Sequence, residues 1–123
     1  MPLVKFLEKI SQGVAVSFDE TMSIIAANYR YQPTEFSNGL RDDILTNPVG
    51  INEGSCKIFA FAKLHQLGPQ QTLNLFGDYY RLDVLANPNS TGHKNIRNFM
   101  KYGWQGIHFK GEVLAPKNSD TES

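Results

Sequence analysis

Residues 55–67 read Ser55-Cys56-Lys57-Ile58-Phe59-Ala60-Phe61-Ala62-Lys63-Leu64-His65-Gln66-Leu67, and this stretch decides the fold. Ile58, Phe61, Ala62 and His65 share one face at i, i+3, i+4 and i+7. Cys56, Phe59, Ala60, Leu64 and Leu67 cover most of the remaining circumference. A helix apolar nearly all round must be enclosed by other elements, so this one is central. Gly68-Pro69 then closes it and opens the next, with Gly past one end and Pro just inside the following start.

Working upstream, Leu3, Phe6, Leu7 and Ile10 repeat the helical spacing, and Gly13 ends that segment. Ser17 and Glu20 form an S-x-x-E capping box, in which each residue satisfies the other's free amide. Phe18, Met22, Ile25 and Tyr29 continue as the stripe of a second helix. From Tyr29 to Glu53 the helical period fails; Pro33, Gly39, Asn47-Pro48 and Gly50 leave room only for short strands or loop around Thr34-Glu35-Phe36 and Ile44-Leu45.

Downstream, Asp78 is placed to cap a helix running through Ala86, and Ser90-Thr91-Gly92 marks a turn and a cap. Ile96, Phe99 and Met100 define a further helix closed by Gly103. Ile107-His108-Phe109-Lys110 alternates as a strand does, with His108 turned to water. The pattern predicts a mainly helical α+β single domain with a small antiparallel sheet. Residues 1–114 form that domain, and the polar residues 115–123 read as a disordered tail.

Composition bounds the function. The 123 residues are 41% apolar, and 12 basic residues balance 12 acidic ones. Zero net charge removes the basic footprint expected of a nucleic-acid binder. A single cysteine excludes an intrachain disulfide and an all-cysteine zinc site. The longest apolar run, Ile58 to Ala62, is far too short to span a membrane. The first residues carry Lys5, Glu8 and Lys9 on a helical pattern, unlike a secretory leader. His65, His93 and His108 lack metal-ligand spacing, so no metal and no cofactor is expected. His65, on a face with Ile58 and Phe61, reads as a satisfied core histidine.

Cys56 sits in the first turn of the central helix, where free amides and the helix dipole favour an anion. Lys57 adds a cation, and both influences lower a thiol pKa. A thiolate nucleophile also needs a base. His65 lies nine residues along the same helix, about 13 Å away, which leaves His93 or His108. The plainer reading is that Cys56 is a small core residue, and it carries more weight. Gly50, Gly54, Ser55 and Lys57 hold the ingredients of a phosphate loop in the wrong order for a nucleotide hydrolase, but suited to a carboxylate or phosphate at a helix start. Asp42 and Asp43 read as solvated. Lys94, Arg97, Lys101 and Lys110 fall in a stretch without acids, and Glu35, Asp42, Asp43 and Glu53 in one nearly without bases; two facing segments, or a solvated basic helix face, explain this better than nucleic acid.

The run Asn52-Glu53-Gly54-Ser55-Cys56-Lys57-Ile58-Phe59-Ala60-Phe61-Ala62 resembles the signature of the HopJ type III effector family. The resemblance extends through Phe76-Gly77-Asp78-Tyr79-Tyr80-Arg81, His93-Lys94-Asn95-Ile96-Arg97-Asn98-Phe99-Met100 and Gly103-Trp104-Gln105-Gly106-Ile107, covering residues 3–114. It implies kinship with proteins injected into a host cell, and no catalytic residues come with it. An ordinary cytoplasmic role is equally compatible.

The expected function is therefore a binding module for a protein or a small anionic ligand. Its pocket is drawn from Asn38, Asn52, Glu53 and Ser55, with Arg81, His93 and Arg97 as cationic or hydrogen-bonding partners. The alternative is a small thiol-dependent enzyme with Cys56 as nucleophile and His93 as base. No nucleic-acid or membrane partner is expected, and the sequence sets no oligomeric state.

Overall fold

The computed structural model describes residues 2–117. Its elements run α1 (Pro2–Ser11), α2 (Phe18–Asn28), β1 (Tyr29–Tyr31), β2 (Phe36–Asn38), β3 (Leu45–Asn47), α3 (Glu53–Leu64), α4 (Pro69–Asn74), α5 (Lys94–Tyr102), β4 (Ile107–Phe109) and β5 (Leu114–Pro116). A 3₁₀ turn at Arg41–Asp43 precedes β3, a π-helical turn at Tyr79–Val84 follows α4, and a second 3₁₀ turn at Gly103–Gly106 follows α5. The architecture is α+β and mainly helical, as the pattern predicts.

The central helix is α3. Ile58, Phe59, Phe61 and Ala62 are fully enclosed. Two neighbouring rings divide the core between them. Phe61 meets Phe6 of α1 at 6.1 Å and Tyr29 of β1 at 5.9 Å. Phe59 turns the other way, onto Phe36 of β2 at 6.1 Å, Phe76 at 5.4 Å, Phe99 of α5 at 5.0 Å and Trp104 at 6.4 Å. Edge-to-face and tilted rings at these separations add to the burial of apolar area. Leu64, read as part of the apolar circumference, is about half exposed.

Strands β3-β2-β4 form one antiparallel sheet, and β1 pairs with β5 in another. Phe36 stands opposite both Asn47 and Phe109, and Asn38 opposite Leu45 and Ile107. Phe36 and Asn38 thus face the core, while Ser37 and His108 face outward as the alternation requires.

Several local expectations change. Ser17 Oγ accepts from the Glu20 amide at 3.0 Å, but the Glu20 carboxylate bonds Lys9 of α1 instead of returning to Ser17. An ion pair outcompetes a neutral amide for that carboxylate. Helix α3 ends at Leu64 and turns through Gln66, at φ +55°, before Gly68 is reached. Gly68 serves instead as the N-cap of α4, with Pro69 in its first turn. Asp78 precedes a π-helical turn and does not cap it through its side chain. Helix α5 is entered from His93, not from the Ser90-Thr91-Gly92 turn.

Asp43 is not simply solvated. It accepts from Lys101 Nζ at 2.8 Å and from the Tyr102 hydroxyl, so the acidic and basic segments do meet. Residues 115–117, expected to belong to a disordered tail, are paired. Ala115 and Pro116 pair with Arg30 and Tyr29, and the Lys117 amide donates to Asn28 O at 3.0 Å. Exposed backbone on β1 takes these partners whatever the side chains beyond Leu114. Residues 118–123 lie outside the described residues.

Candidate functional site

The starts of α3 and α5 open onto one groove of about 480 Å³. Asn52, Gly54 and Ser55 line it from α3, and His93, Lys94, Asn95 and Ile96 from α5. Phe18, Leu45, Phe76 and Tyr79 complete the wall. A larger groove of about 580 Å³ lies between α3 and the β4–β5 connection, where Lys63, Lys110 and Glu112 flank Leu64, Val113 and Leu114. No helix begins there.

Both helix starts are built in the same way. The N-cap residues Asn52 (φ +56°, ψ +47°) and His93 (φ +56°, ψ +51°) are left-handed, where an N-cap residue is ordinarily extended and bonds its own first turn. Neither caps its helix through its side chain. The Asn52 amide donates to Asn47 Oδ1 at 2.7 Å, and His93 Nε2 stands 3.1 Å from Asp83 Oδ2. The first-turn amides of both helices therefore receive no side-chain cap, and each start carries roughly half a positive charge from its dipole. Lys94 adds a full one.

Behind the groove, buried asparagines set its geometry. Asn95 Nδ2 donates to Asn47 Oδ1 at 2.9 Å, and Asn47 Nδ2 returns to Asn95 Oδ1 at 3.2 Å. Asn38 Nδ2 donates to Asn95 O at 2.8 Å and Oδ1 at 3.0 Å. Asn98 Nδ2 reaches Asn38 O at 2.9 Å and Asp43 O at 2.8 Å. This network ties β2, β3 and both helix starts together, and only Asn38 Oδ1 within it is buried without a partner. Satisfied buried amides specify one arrangement, because any shift leaves one of them unpaired.

Of the residues predicted for the site, Asn52, Ser55 and His93 line the groove, and Asn38 supports it through Asn95. Glu53 is occupied elsewhere, accepting the Tyr31 hydroxyl at 3.0 Å. Arg81 bonds Asn74 Oδ1 at 2.8 Å and Val16 O, clamping the α1–α2 connection. Arg97 holds the carbonyls of Gly92 and Pro88. These two guanidiniums hold backbone turns, not the groove.

Cys56 is buried, its Sγ donating to Thr34 O at 3.6 Å, and no hydrogen bond joins it to His93. Burial pushes its thiol above the ordinary value, against smaller lowering effects from Tyr31, Thr34 and Lys57. Neither a bond to His93 nor a lowered pKa supports Cys56 as the nucleophile of a Cys56–His93 pair. Beside it, the Tyr31 hydroxyl is raised by burial and then by its bond to Glu53, with Lys57 Nζ 4.7 Å from the ring centre. His65 accepts or donates at 2.6 Å with the Tyr29 hydroxyl, and burial lowers its pKa.

Sequence reasoning set the pocket beside Phe76 and Tyr79 and named Gly54 at the helix start, but missed Phe18, Leu45, Lys94, Asn95 and Ile96 as groove residues. Placing the helix start at His93 would have exposed Lys94 to Ile96 together. Among the described residues no group of three or more His, Cys, Asp or Glu is placed to hold a metal, and no helix is long and apolar enough to cross a membrane.

The described residues form a small α+β domain in which two helix starts share one groove. The model of the HopJ type III effector protein family matches residues 3–114, and the chain belongs to that family. It is also similar to VPA0580, a crystal structure of a protein of unknown function, at 42% identity and a TM-score of 0.89 over 95% of each chain. No curated protein matches the chain.

Proposed function

We propose that the protein is a binding module whose groove takes a small anionic group, carboxylate or phosphate, without chemistry on it. The observation that carries this reading is the opening of two helices, each without a side-chain cap, onto one groove that Lys94 and His93 also line. Helix starts bind anions through free amides and dipole together, and two starts act on the same ligand. The ligand is free, or is displayed on a partner protein. The module works in the cytoplasm of its own cell, and the family description supports delivery into a host cell as a second setting.

Titration with inorganic phosphate and with acetate, followed by amide shifts, tests the reading. Shifts should concentrate at Gly54, Ser55, Asn95 and Ile96 and weaken in Lys94→Ala. Shifts spread evenly over surface lysines, unchanged by that substitution, would remove the site.

A further inference from the structure

We infer that the ligand's other end is a flat aromatic ring, so that the class of ligand is an aryl anion; this rests on the anion reading of the same groove. The polar helix starts form only one side of it. Phe18 and Tyr79 line it as well, with Phe76 almost fully buried, and a purely inorganic ion would leave the first two rings uncovered.

The wall is built to hold a ring in place. Tyr79 is 43% exposed although it lines the groove. Phe18 meets it edge-on, with centres 4.9 Å apart and planes at 78°, and His93 lies beside it at 5.2 Å and 41°. Phe18 reaches this position because residue 54 is glycine: a Cβ there would stand 2.9 Å from Phe18 Cζ. Tyr79 opens the π-helical turn, a geometry that recurs at functional sites. The groove volume of about 480 Å³ exceeds what a lone phosphate or carboxylate fills and lies in the range of small-molecule sites.

The test compares inorganic phosphate, phenyl phosphate, cyclohexyl phosphate and phenol on the full chain by calorimetry or amide shifts. Phenyl phosphate should bind roughly ten-fold more tightly than inorganic phosphate, and more tightly than cyclohexyl phosphate, as an added ring contact predicts. Tyr79→Phe should keep that margin and Tyr79→Leu should remove it, with thermal melts showing both variants folded. Equal binding of all three phosphates overturns the ring inference and leaves the anion reading standing. Binding of phenol with no binding of any phosphate overturns the anion reading and, with it, the aryl-anion class. Binding of none overturns both.

Discussion

Asn47 of β3 and Asn95 of α5 exchange a reciprocal pair of side-chain amide hydrogen bonds, at 2.9 and 3.2 Å, in the interior of the protein. Each amide is donor and acceptor to the other, and Asn52 and Asn38 attach to the same pair. A reciprocal bond of this kind fixes both distance and orientation. It is what places the start of α5 beside the start of α3 and so forms the groove.

Asn95→Ala takes one acceptor from each of the Asn47 and Asn38 amides, which keep Phe36 O and Asn95 O, at a cost of about 1–2 kcal/mol. Urea unfolding measures this directly. In a double-mutant cycle, Asn47→Ala with Asn95→Ala should cost clearly less than the two single changes together, because both remove the same reciprocal pair of bonds. Strict additivity would mean that the pair is not coupled.

Asp43 gives stability a defined pH dependence. The Lys101 ammonium hydrogen-bonded to it, with the Tyr102 hydroxyl, holds its carboxyl below the ordinary value. A carboxylate lowered in the folded state contributes stability that is present above the unfolded pKa, near 3.9, and lost as pH falls through the folded one. Asp43→Asn should therefore lower the urea midpoint at pH 7, and the gap to the parent protein should close in strong acid. A gap unchanged down to pH 2 would assign the effect to something other than ionisation.

Cys56 is the single thiol, so intact mass after alkylation reports on it alone. With burial raising the thiol and Sγ bonded to Thr34 O, labelling of the folded protein should be slow and should follow opening of the structure. Its midpoint should lie above the free thiol's value of about 8.5. Fast labelling with a midpoint below that value would return the thiol-enzyme reading.

Gly77 and Gly50 separate close packing from backbone conformation. Both have positive φ, +63° and +83°. A Cβ at Gly77 would lie 2.5 Å from the Phe18 amide nitrogen, whereas one at Gly50 meets nothing within 4 Å. Gly50→Ala should cost about 1 kcal/mol, the left-handed penalty alone. Gly77→Ala should cost about 3 kcal/mol or more, since backbone must move. Thermal melts that rank the two equally would show that the Phe18 contact relaxes freely.

The sequence by itself determined the elements whose side chains obey a period. An apolar circumference at residues 55–67 has one solution, a buried helix, and the alternation at Ile107–Phe109 turns His108 outward before any neighbour is known. The family resemblance was equally legible, because it rests on local runs of residues. Tertiary structure decided where the polar residues go. Arg81 and Arg97 look like ligand partners in sequence and hold backbone carbonyls instead; Cys56 at a helix start leaves two readings open in sequence, and the fold buries it against Thr34 O. Asn47, Asn95 and Asn98 carry no period at all, yet they position the groove through partners 48 to 60 residues away. Apolar burial follows from spacing along one element, since any apolar neighbour suffices. A hydrogen bond requires one particular partner at one distance and angle, and that partner is set only when the chain has folded.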